Sequence, residues 1–326
     1  MIGIADIEAA AERLQGVAVR TPLIRNDELD RIAGGTVLVK AENLQVVGSF
    51  KIRGAYNLMS QLPPEAVEQG VVAFSSGNHA QGVAMAGRIL GMPAAIVMPE
   101  DAPVAKMENT RRLGGEVISY DRYTGDREAI AREIAEQRGA HLVPSYDHEH
   151  IIAGQGTVGL EIADQALEIG LPPDQVLINC GGGGLSAGTG VALKARLPAV
   201  SVHTVEPEDF DDTARSLDAG ERLRVSPDAR SICDALLSES PGRLPFEIHR
   251  TLFGAGIAVS DAEVRDAMRF AFRNLKLVVE PGGAVSLAAV LSGRIETKGK
   301  TTAVVISGGN VDIGMFASVQ ESANGA

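Results

Sequence analysis

Cysteine, aromatic residues and long apolar runs are all scarce in this sequence of 326 residues. It has two cysteines, Cys180 and Cys233, no Trp, and only 4% aromatic residues. Two cysteines outside a CxxC spacing cannot make a zinc site alone, and they indicate a reducing, cytoplasmic compartment. With so few aromatics, a platform for stacking nucleic-acid bases is not expected. No run of 18 apolar residues occurs and the N-terminus lacks signal-peptide character, so neither a membrane span nor export is expected.

Positive charge is also scarce relative to negative charge. The chain has 30 Lys and Arg residues against 42 Asp and Glu residues, which gives a formal net charge of −12 at pH 7. Nucleic acid and anionic membrane surfaces would be repelled at long range, so neither is expected as a partner. Glycine, in contrast, is abundant. Its 37 copies indicate many tight turns or close approaches of the backbone to a ligand.

Runs rich in Val and Ile alternate along the chain with longer segments of helical period. Such alternation predicts an α/β fold in which a parallel sheet carries helices on both faces. The predicted strands are 71–74, 94–98, 116–119, 176–179, 200–205 and 301–306. The predicted helices between them are 77–90, 104–113, 126–138, 156–169 and 184–196. Asp261 and Ser49 are the expected N-caps of two further helices.

The sequence CGGGGLS at positions 180–186 follows a predicted strand and opens a predicted helix. Consecutive glycines at a helix N-terminus can turn several backbone N–H groups inward, where the helix dipole also favours an anion, so this segment suits a phosphate group. A flexible turn is the structural alternative. A dinucleotide-binding loop is another, because Glu206 ends a strand about 22 residues further on, although GGGGLS lacks the GxGxxG spacing.

Further segments carry side chains suited to chemistry. Lys51 lies in the apolar sequence GSFKIRG beside Phe50; a lysine removed from water loses pKa and becomes nucleophilic, whereas a solvated lysine is the ordinary alternative. SSGNHAQG at 75–82 would gather N–H and hydroxyl donors at the carboxyl end of a strand, where open α/β sheets bind ligands. A substrate carboxylate fits there, and a plain helix cap by Ser76 or Asn78 is the alternative. SGGN at 307–310 is another small-residue turn at a strand end.

Taken in order, these segments resemble the fold type II pyridoxal-phosphate (PLP) enzymes, in the branch of threonine/serine dehydratase and serine racemase. The resemblance spans nearly the whole chain and rests on GSFKIRGAYN (48–57), SSGNHAQG (75–82), IAGQGT (152–157), CGGGGLSAG (180–188), EPGGA (280–284) and SGGN (307–310). It implies a tryptophan synthase β-like fold with two open, mainly parallel α/β sheets. It also implies a large PLP-binding domain of residues 1–65 and 149–326, a small, mobile substrate-carboxylate domain of residues 66–148, and a homodimer.

The same resemblance implies a role for individual residues. Lys51 would hold PLP as a Schiff base, Phe50 would pack against its ring, and Asn78 would bind its 3′ oxygen. Ser307 would meet the pyridine nitrogen as a neutral hydroxyl, which makes the ring a weaker electron sink than a carboxylate partner would. The residues that would cradle the phosphate are Gly181, Gly182, Gly183, Gly184 and Leu185.

The implied reaction is α,β-elimination of water from a β-hydroxy amino acid to give a 2-oxo acid and ammonia, with Lys51 as the base at Cα. Threonine, serine, 3-hydroxyaspartate and phenylserine all share the required groups. Ser76 lies where racemase-type enzymes place a base on the opposite face, so a serine or hydroxyaspartate racemase is the alternative. A carboxylate-binding hydroxyl is an equally consistent role for Ser76.

Several residues are expected to contact the substrate. They are Ser75, Ser76, Gly77, Asn78, His79, Arg127 and Tyr146. His79 has a scaffold role as its alternative. Arg127 would suit a second carboxylate, but relatives acting on neutral substrates also have an Arg near this position, so Arg127 does not decide the substrate. Tyr146 stands where vertebrate-type serine racemase has Asn and threonine dehydratases have an aromatic residue, which favours the dehydratase.

An acidic segment resembles the divalent-metal loop of the racemase-type enzymes. There two carboxylates and one backbone carbonyl hold Mg²⁺ or Ca²⁺, ions that prefer oxygen ligands. The matching residues are Glu206, Phe210 and Asp212. The alternative is a solvated acidic loop, because EPEDFDD has five acids in seven residues.

Overall fold

The computed structural model describes residues 2–75, 77–102, 104–121 and 124–321. Its strands are β1 Leu23–Arg25, β2 Thr36–Ala41, β3 Val71–Phe74, β4 Ala94–Pro99, β5 Gly115–Tyr120, β6 His141–Leu142, β7 Gln175–Asn179, β8 Ser201–Pro207, β9 Ile257–Val259 and β10 Thr301–Ile306. Its α-helices are α1 Ile4–Arg13, α2 Asp27–Ala33, α3 Lys51–Met59, α4 Ala66–Gln69, α5 Asn78–Leu90, α6 Val104–Arg112, α7 Arg127–Arg138, α8 Glu149–Glu168, α9 Gly184–Arg196, α10 Asp212–Ala219, α11 Arg243–Leu252, α12 Asp261–Phe270, α13 Pro281–Leu291 and α14 Ile313–Glu321. A π-helical turn, Ala271–Leu275, continues α12.

The strands form two sheets. The six-stranded sheet has the order β1-β2-β10-β7-β8-β9, and its neighbours are parallel except for β1 and β2. The four-stranded sheet has the order β5-β4-β3-β6 and is parallel throughout. The prediction of mainly parallel sheets is therefore confirmed. All four strands of the smaller sheet lie within the segment 66–148, while the division into two domains stays a prediction.

The central strands carry apolar side chains on both faces. In β2, Val37 and Val39 pack in the core that contains α12 and α13, whereas Leu38 between them packs in the core that contains α8 and α9. Successive side chains of a strand point to opposite faces, so such a strand needs helices on both sides. Burial on both faces explains why the central strands β2, β7 and β10 are rich in Val, Ile and Leu.

Both predicted N-caps are wrong. Ser260, not Asp261, caps α12, because its Oγ accepts from the backbone N of Glu263 while the Glu263 carboxylate accepts from the backbone N of Ser260. This reciprocal pair satisfies two N–H groups that the first turn leaves free. Phe50, not Ser49, precedes α3, and Ser49 instead forms a β-bridge with the SGGN turn.

The predicted ligand-binding turns all follow the carboxyl ends of parallel strands. SSGN follows β3, the glycine run follows β7, and SGGN follows β10. α3, which begins at Lys51, packs against α5, a helix of the smaller sheet, and against α8, a helix of the larger sheet. Within the described ranges, no helix is both long and apolar enough to cross a lipid bilayer.

Candidate active site

Lys51 is the first residue of α3. Its Nζ donates a hydrogen bond to the backbone oxygen of Ser145 at 3.0 Å and lies 5.1 Å from the centre of the Phe50 ring. Burial lowers the pKa of the Lys51 amine to about 8, and the carboxylate of Glu280 opposes this shift only in part. Near neutral pH the neutral share of the Lys51 amine is therefore larger than that of an ordinary lysine, and the neutral amine is the form required of a base or nucleophile.

A buried ionic network fixes α3 two residues beyond Lys51. Arg53 donates from Nε and Nη2 to the carboxylate of Glu42, both at 2.8 Å, and from Nη1 to Glu161 at 2.7 Å. Lys40 Nζ donates to the other oxygen of Glu161 at 2.6 Å. Two cations and two carboxylates thus balance one another and join β2, α3 and α8. The side chains of Arg53, Glu42 and Lys40 are at most 1% exposed, so this network is part of the core.

The glycine loop, residues 181–184, connects β7 to α9 with no room for side chains. Gly183 has a φ of +93°, which disfavours any other residue. A Cβ at Gly182 would lie 2.4 Å from the Tyr146 ring, and one at Gly184 would lie 2.5 Å from Gln155 Oε1. Leu185 packs in the core, so only its backbone N–H is available to a ligand. The loop therefore presents backbone donors at a helix N-terminus, as a phosphate site requires.

The hydroxyl of Ser307 lies at the end of β10 and is almost fully buried. Its Oγ accepts a hydrogen bond from Asn179 Nδ2 at 3.1 Å, and the same Nδ2 donates to the backbone oxygen of Gly282 at 2.7 Å. Ser286 donates to the Oδ1 of Asn179, so this amide is held from both ends. Because Ser307 accepts from Asn179, its own hydrogen is directed elsewhere, as a donor to a ring nitrogen would need. Sequence reasoning missed Asn179, because no motif around it marks this role.

Asn78, at the start of α5, is held by two other polar side chains. Its Nδ2 donates to Glu280 Oε1 at 2.6 Å, and its Oδ1 accepts from Asn310 Nδ2 at 2.7 Å. Burial, together with the charge of Asp234, raises the pKa of Glu280 to about 7. Glu280 and Asn310 belong to the EPGGA and SGGN motifs, yet sequence reasoning assigned a role to neither.

Several of the residues predicted to contact the substrate lie at the start of α5. Ser75 Oγ accepts from the backbone N of Gly77 at 3.2 Å, and Gly77 faces open space. Ser76 lies outside the described residues, so its two proposed roles stay predictions. The His79 ring contacts the backbone oxygen of Val143 at 2.9 Å, and burial lowers its pKa to about 3. A neutral ring bonded in this way is typical of a scaffold residue, which leaves only the backbone of His79 for a substrate.

The loop before α8 closes over the glycine loop. Tyr146 packs on Gly182, and the carboxylate of Asp147 accepts from the first two backbone N–H groups of α11, each at 2.9 Å. Burial raises the pKa of the Tyr146 hydroxyl, with Asp147 adding to the shift and Arg127 opposing it. Arg127 lies 5.7 Å from the centre of the Phe74 ring, at the end of β3. The structure thus brings Arg127 and Tyr146 to the same edge as Ser75.

The predicted metal residues lie together at the end of β8. Glu206 accepts from the backbone N of Thr213 at 3.0 Å and of Ala214 at 2.8 Å. Asp212 is fully buried, and neither of its carboxylate oxygens has a hydrogen-bond partner among the described residues. Burial raises the pKa of Asp212 to about 7, and burial with the charge of Asp212 raises that of Glu206 further above its ordinary value. No described group of three or more His, Cys, Asp or Glu side chains is placed to hold a metal.

Comparison with known proteins identifies the family of this chain. The family described as "Pyridoxal-phosphate dependent enzyme" matches residues 14–308. The chain is 45% identical to an L-threo-3-hydroxyaspartate ammonia-lyase of a Pseudomonas species, over 96% of this chain and 97% of that protein. It is 42% identical to an L-threonine ammonia-lyase of Thermotoga maritima, over 97% of this chain and 77% of that protein. The solved structure of maize serine racemase, 36% identical, superimposes with a TM-score of 0.91 over 99% of this chain and 98% of that one.

The chain therefore belongs to the family of PLP-dependent enzymes. The predicted resemblance and the fold type II class are confirmed by these matches. The dinucleotide-binding alternative for the glycine run is set aside by the same result. The individual roles of the site residues are not tested by the comparisons and stay predictions.

Proposed function

We propose that this protein is a PLP-dependent ammonia-lyase that removes water from a β-hydroxy amino acid and yields a 2-oxo acid and ammonia. The observation that carries the proposal is the Lys51 amine. It has a pKa lowered to about 8 and lies in a site that also contains a glycine loop and the end of β10. The similarity to ammonia-lyases acting on L-threo-3-hydroxyaspartate and L-threonine points to the same reaction.

The residues present suit the cofactor. PLP, when bound, withdraws electrons from the substrate Cα and makes its proton acidic. The backbone N–H groups of residues 181–185 would hold the phosphate, and Asn78 the 3′ oxygen. Two buried polar atoms, Ser49 Oγ and Gln155 Oε1, have no hydrogen-bond partner among the described residues, as expected near a polar ligand.

The protein's own groups would then perform the proton transfer. Lys51 Nζ, held near Ser145, takes the proton from Cα in its neutral form. Ser307, whose Oγ accepts from Asn179, would be the residue that meets the ring nitrogen of PLP. As a neutral hydroxyl it would not keep that nitrogen protonated, and a weaker electron sink would favour loss of the β-hydroxyl as water over transamination.

The test is a substrate panel with the purified, PLP-loaded protein. We expect 2-oxo acid and equimolar ammonia from at least one of L-threonine, L-serine, L-threo-3-hydroxyaspartate and phenylserine. Oxo acid is measured as its hydrazone, and D-amino acid by chiral chromatography of the same samples. Absence of oxo acid from every β-hydroxy amino acid would refute the lyase, and D-amino acid as the dominant product would establish the racemase instead.

A serine or hydroxyaspartate racemase remains the second candidate, supported by the likeness to maize serine racemase. Its second base would be Ser76. Tyr146, which packs on the glycine loop, favours the lyase, because the resemblance places an aromatic residue there in threonine dehydratases. The resemblance also supports two further proposals, a mobile domain of residues 66–148 and a homodimer. The two cysteines outside a CxxC spacing support a third, a cytoplasmic location.

Arg127 is proposed to bind a second carboxylate of the substrate. Its guanidinium lies over the Phe74 ring at the end of β3, and its charge acts on the Tyr146 hydroxyl. The similarity to a hydroxyaspartate ammonia-lyase makes a substrate with a second carboxylate the first to test. Arg127→Gln is expected to lower kcat/KM for L-threo-3-hydroxyaspartate by about 10- to 100-fold, since it removes a hydrogen bond between charged groups. The value for L-serine is expected to change by less than about threefold.

The matched control is Arg132→Gln, which removes another exposed arginine of α7, one that is paired with Glu128. It should leave kcat/KM unchanged for both substrates. An equal loss for L-serine and hydroxyaspartate in Arg127→Gln would show that Arg127 does not select the second carboxylate.

A divalent cation at Glu206, Asp212 and the backbone oxygen of Phe210 is also proposed. The two unpartnered, buried oxygens of Asp212 support it, because Mg²⁺ and Ca²⁺ take such oxygen ligands. The ion would neutralise two buried carboxylates and stabilise the turn from β8 to α10, with no part in the proton transfer.

Cation binding is expected to raise the Tm of the wild-type protein by several degrees. A ligand present at 100 times its Kd stabilises a folded protein by about 2.7 kcal/mol. Differential scanning calorimetry with MgCl₂, CaCl₂ or EDTA measures the shift. Asp212→Asn should lose it, whereas Asp209→Asn, an exposed change in the same acidic segment, should keep it. A shift that is absent, or equal in all three proteins, would argue against this site.

A further inference from the structure

A chain of hydrogen bonds links the loop before Lys51 to Asn78. Asn310 Nδ2 donates to the backbone oxygen of Val47 at 2.8 Å and to Asn78 Oδ1 at 2.7 Å. Asn78 Nδ2 donates in turn to Glu280 Oε1 at 2.6 Å. Segments more than 200 residues apart in sequence therefore meet at one buried amide.

The backbone oxygen of Val47 decides which atoms donate and which accept in this series of hydrogen bonds. A backbone carbonyl can only accept, so the atom of Asn310 that faces it must be the nitrogen. Both hydrogens of that nitrogen are then used, one on Val47 and one on Asn78. The atom of Asn78 that faces Asn310 must therefore be its oxygen, whatever the protonation state of Glu280.

One hydrogen of Asn78 Nδ2 remains after these bonds are made. The other is taken by Glu280, which is 3% exposed. The nitrogen lies on the side of the SGGN turn, 3.1 Å from where a Cβ of Gly308 would be, and Glu280 lies close enough to Lys51 to act on its charge. The Asn78 amide nitrogen and the Lys51 amine therefore both lie near the Glu280 carboxylate.

Val47, whose backbone oxygen accepts the first hydrogen bond of this series, has an unusual backbone conformation. Val47 has a φ of +60°, a left-handed conformation that a β-branched residue rarely adopts. The next residue, Gly48, has a φ of +72° and its backbone oxygen accepts from the backbone N of Gly309 at 2.9 Å. A Cβ at Gly48 would lie 2.7 Å from Asn310 Oδ1, so this backbone is shaped to the Asn310 side chain. Such strain persists where the surrounding structure requires it, often at functional sites.

We propose that Asn310 is a positioning residue that fixes the Asn78 amide with its nitrogen toward the cofactor pocket, so that Asn78 always offers a donor to the cofactor oxygen. The inference rests on the proposed contact of Asn78 with PLP. Without Asn310, the side-chain amide of Asn78 could turn over and place its oxygen against the cofactor oxygen. Asn310 touches neither substrate nor cofactor in this role and acts through Asn78.

The test exchanges donors and acceptors in this series of hydrogen bonds. Asn310→Asp cannot donate, so the Asn78 amide must turn over to donate to the new carboxylate, and its oxygen then faces Glu280. We expect PLP to bind about 10- to 100-fold more weakly, the loss of one hydrogen bond to a charged group, with a changed visible absorbance and a lower Tm. PLP affinity is measured by fluorescence titration of the apoprotein.

The double variant Asn310→Asp, Glu280→Gln separates positioning from structure. The amide that Glu280→Gln introduces can donate to the reversed Asn78 oxygen, so the bonds among these three side chains are again satisfied and the Tm should recover toward that of the wild type. PLP affinity and absorbance should stay altered, because Asn78 still offers oxygen. Recovery of wild-type PLP binding in the double variant would overturn the proposal, since a merely structural role predicts that recovery.

The remaining outcomes are also decisive. Unchanged PLP affinity and absorbance in Asn310→Asp would overturn the inference; if that variant does not fold, the double variant alone carries the test. Asn274→Asp, an exposed change of the same chemistry, should behave as the wild type. If the wild-type protein itself binds no PLP, the proposed function fails, and that result is distinct from failure of the Asn310 variants alone.

Discussion

Lys51→Ala is expected to abolish 2-oxo acid formation, with a loss of about 10⁴-fold or more. The variant lacks both the amine that holds PLP covalently and the base that removes the Cα proton. Borohydride reduction of the wild-type protein should attach the cofactor to Lys51, as mass spectrometry of peptides would show. Lys51→Ala should incorporate no label, and PLP should be removed from it by dialysis.

The exposed Lys298 provides the matched control, and Lys298→Ala should keep both the label and the activity. The pKa of about 8 adds a pH dependence. Only the neutral amine attacks an aldehyde, so the rate at which the apoprotein captures PLP should rise with pH and level off above about 8. Label on a different lysine, or activity that survives Lys51→Ala, would contradict the assignment.

The sequence was sufficient to predict the strands that are buried on both faces. Their apolar runs are continuous, and each predicted run is a strand of the structure. β2 was missed although it lies within the larger sheet between β1 and β10. The reason is Lys40, a charged residue inside the strand that is buried because Glu161 pairs with it. A periodicity argument takes such a lysine as a surface position, since the partner more than 100 residues away is invisible to it.

The sequence was sufficient to predict which loops form the candidate site, but not which side chains contact one another there. Glycine runs and small polar turns mark the carboxyl ends of strands, so the glycine loop and the SGGN turn could be singled out. Lys51 was singled out by its apolar neighbours, and the roles of Lys51 and Ser307 came from the resemblance to the fold type II PLP enzymes. Asn179, which contacts Ser307, and Asn310, which contacts Asn78, could not be singled out. Their function depends on which way an amide points, and that is decided by segments 128 residues apart for Asn179 and Ser307 and 232 apart for Asn310 and Asn78.

The buried network around Arg53 is expected to have the largest effect on stability. Glu42→Gln removes one of the two carboxylates paired with the Arg53 guanidinium, which is 1% exposed, so that Glu161 alone balances the charges of Arg53 and Lys40. Breaking a buried ion pair by removing one charge costs about 3–5 kcal/mol, so the free energy of unfolding in urea should fall by that order. Because Arg53 lies two residues from Lys51, PLP affinity should fall as well.

The contribution of Glu42 to the free energy of unfolding depends on pH. Burial alone would raise the pKa of Glu42, but the charge of Arg53 and its hydrogen bonds outweigh it and hold the pKa below its ordinary value. Glu42 therefore stabilises the fold above its unfolded pKa of about 4.3, and this contribution is lost as the pH falls through the lower, folded value. The difference in unfolding free energy between wild type and Glu42→Gln should be full at pH 7 and shrink at acid pH. Glu28→Gln, which removes an exposed partner of Arg31, should leave the stability nearly unchanged. An equally small effect of Glu42→Gln would show that the network does not anchor the helix that begins at Lys51.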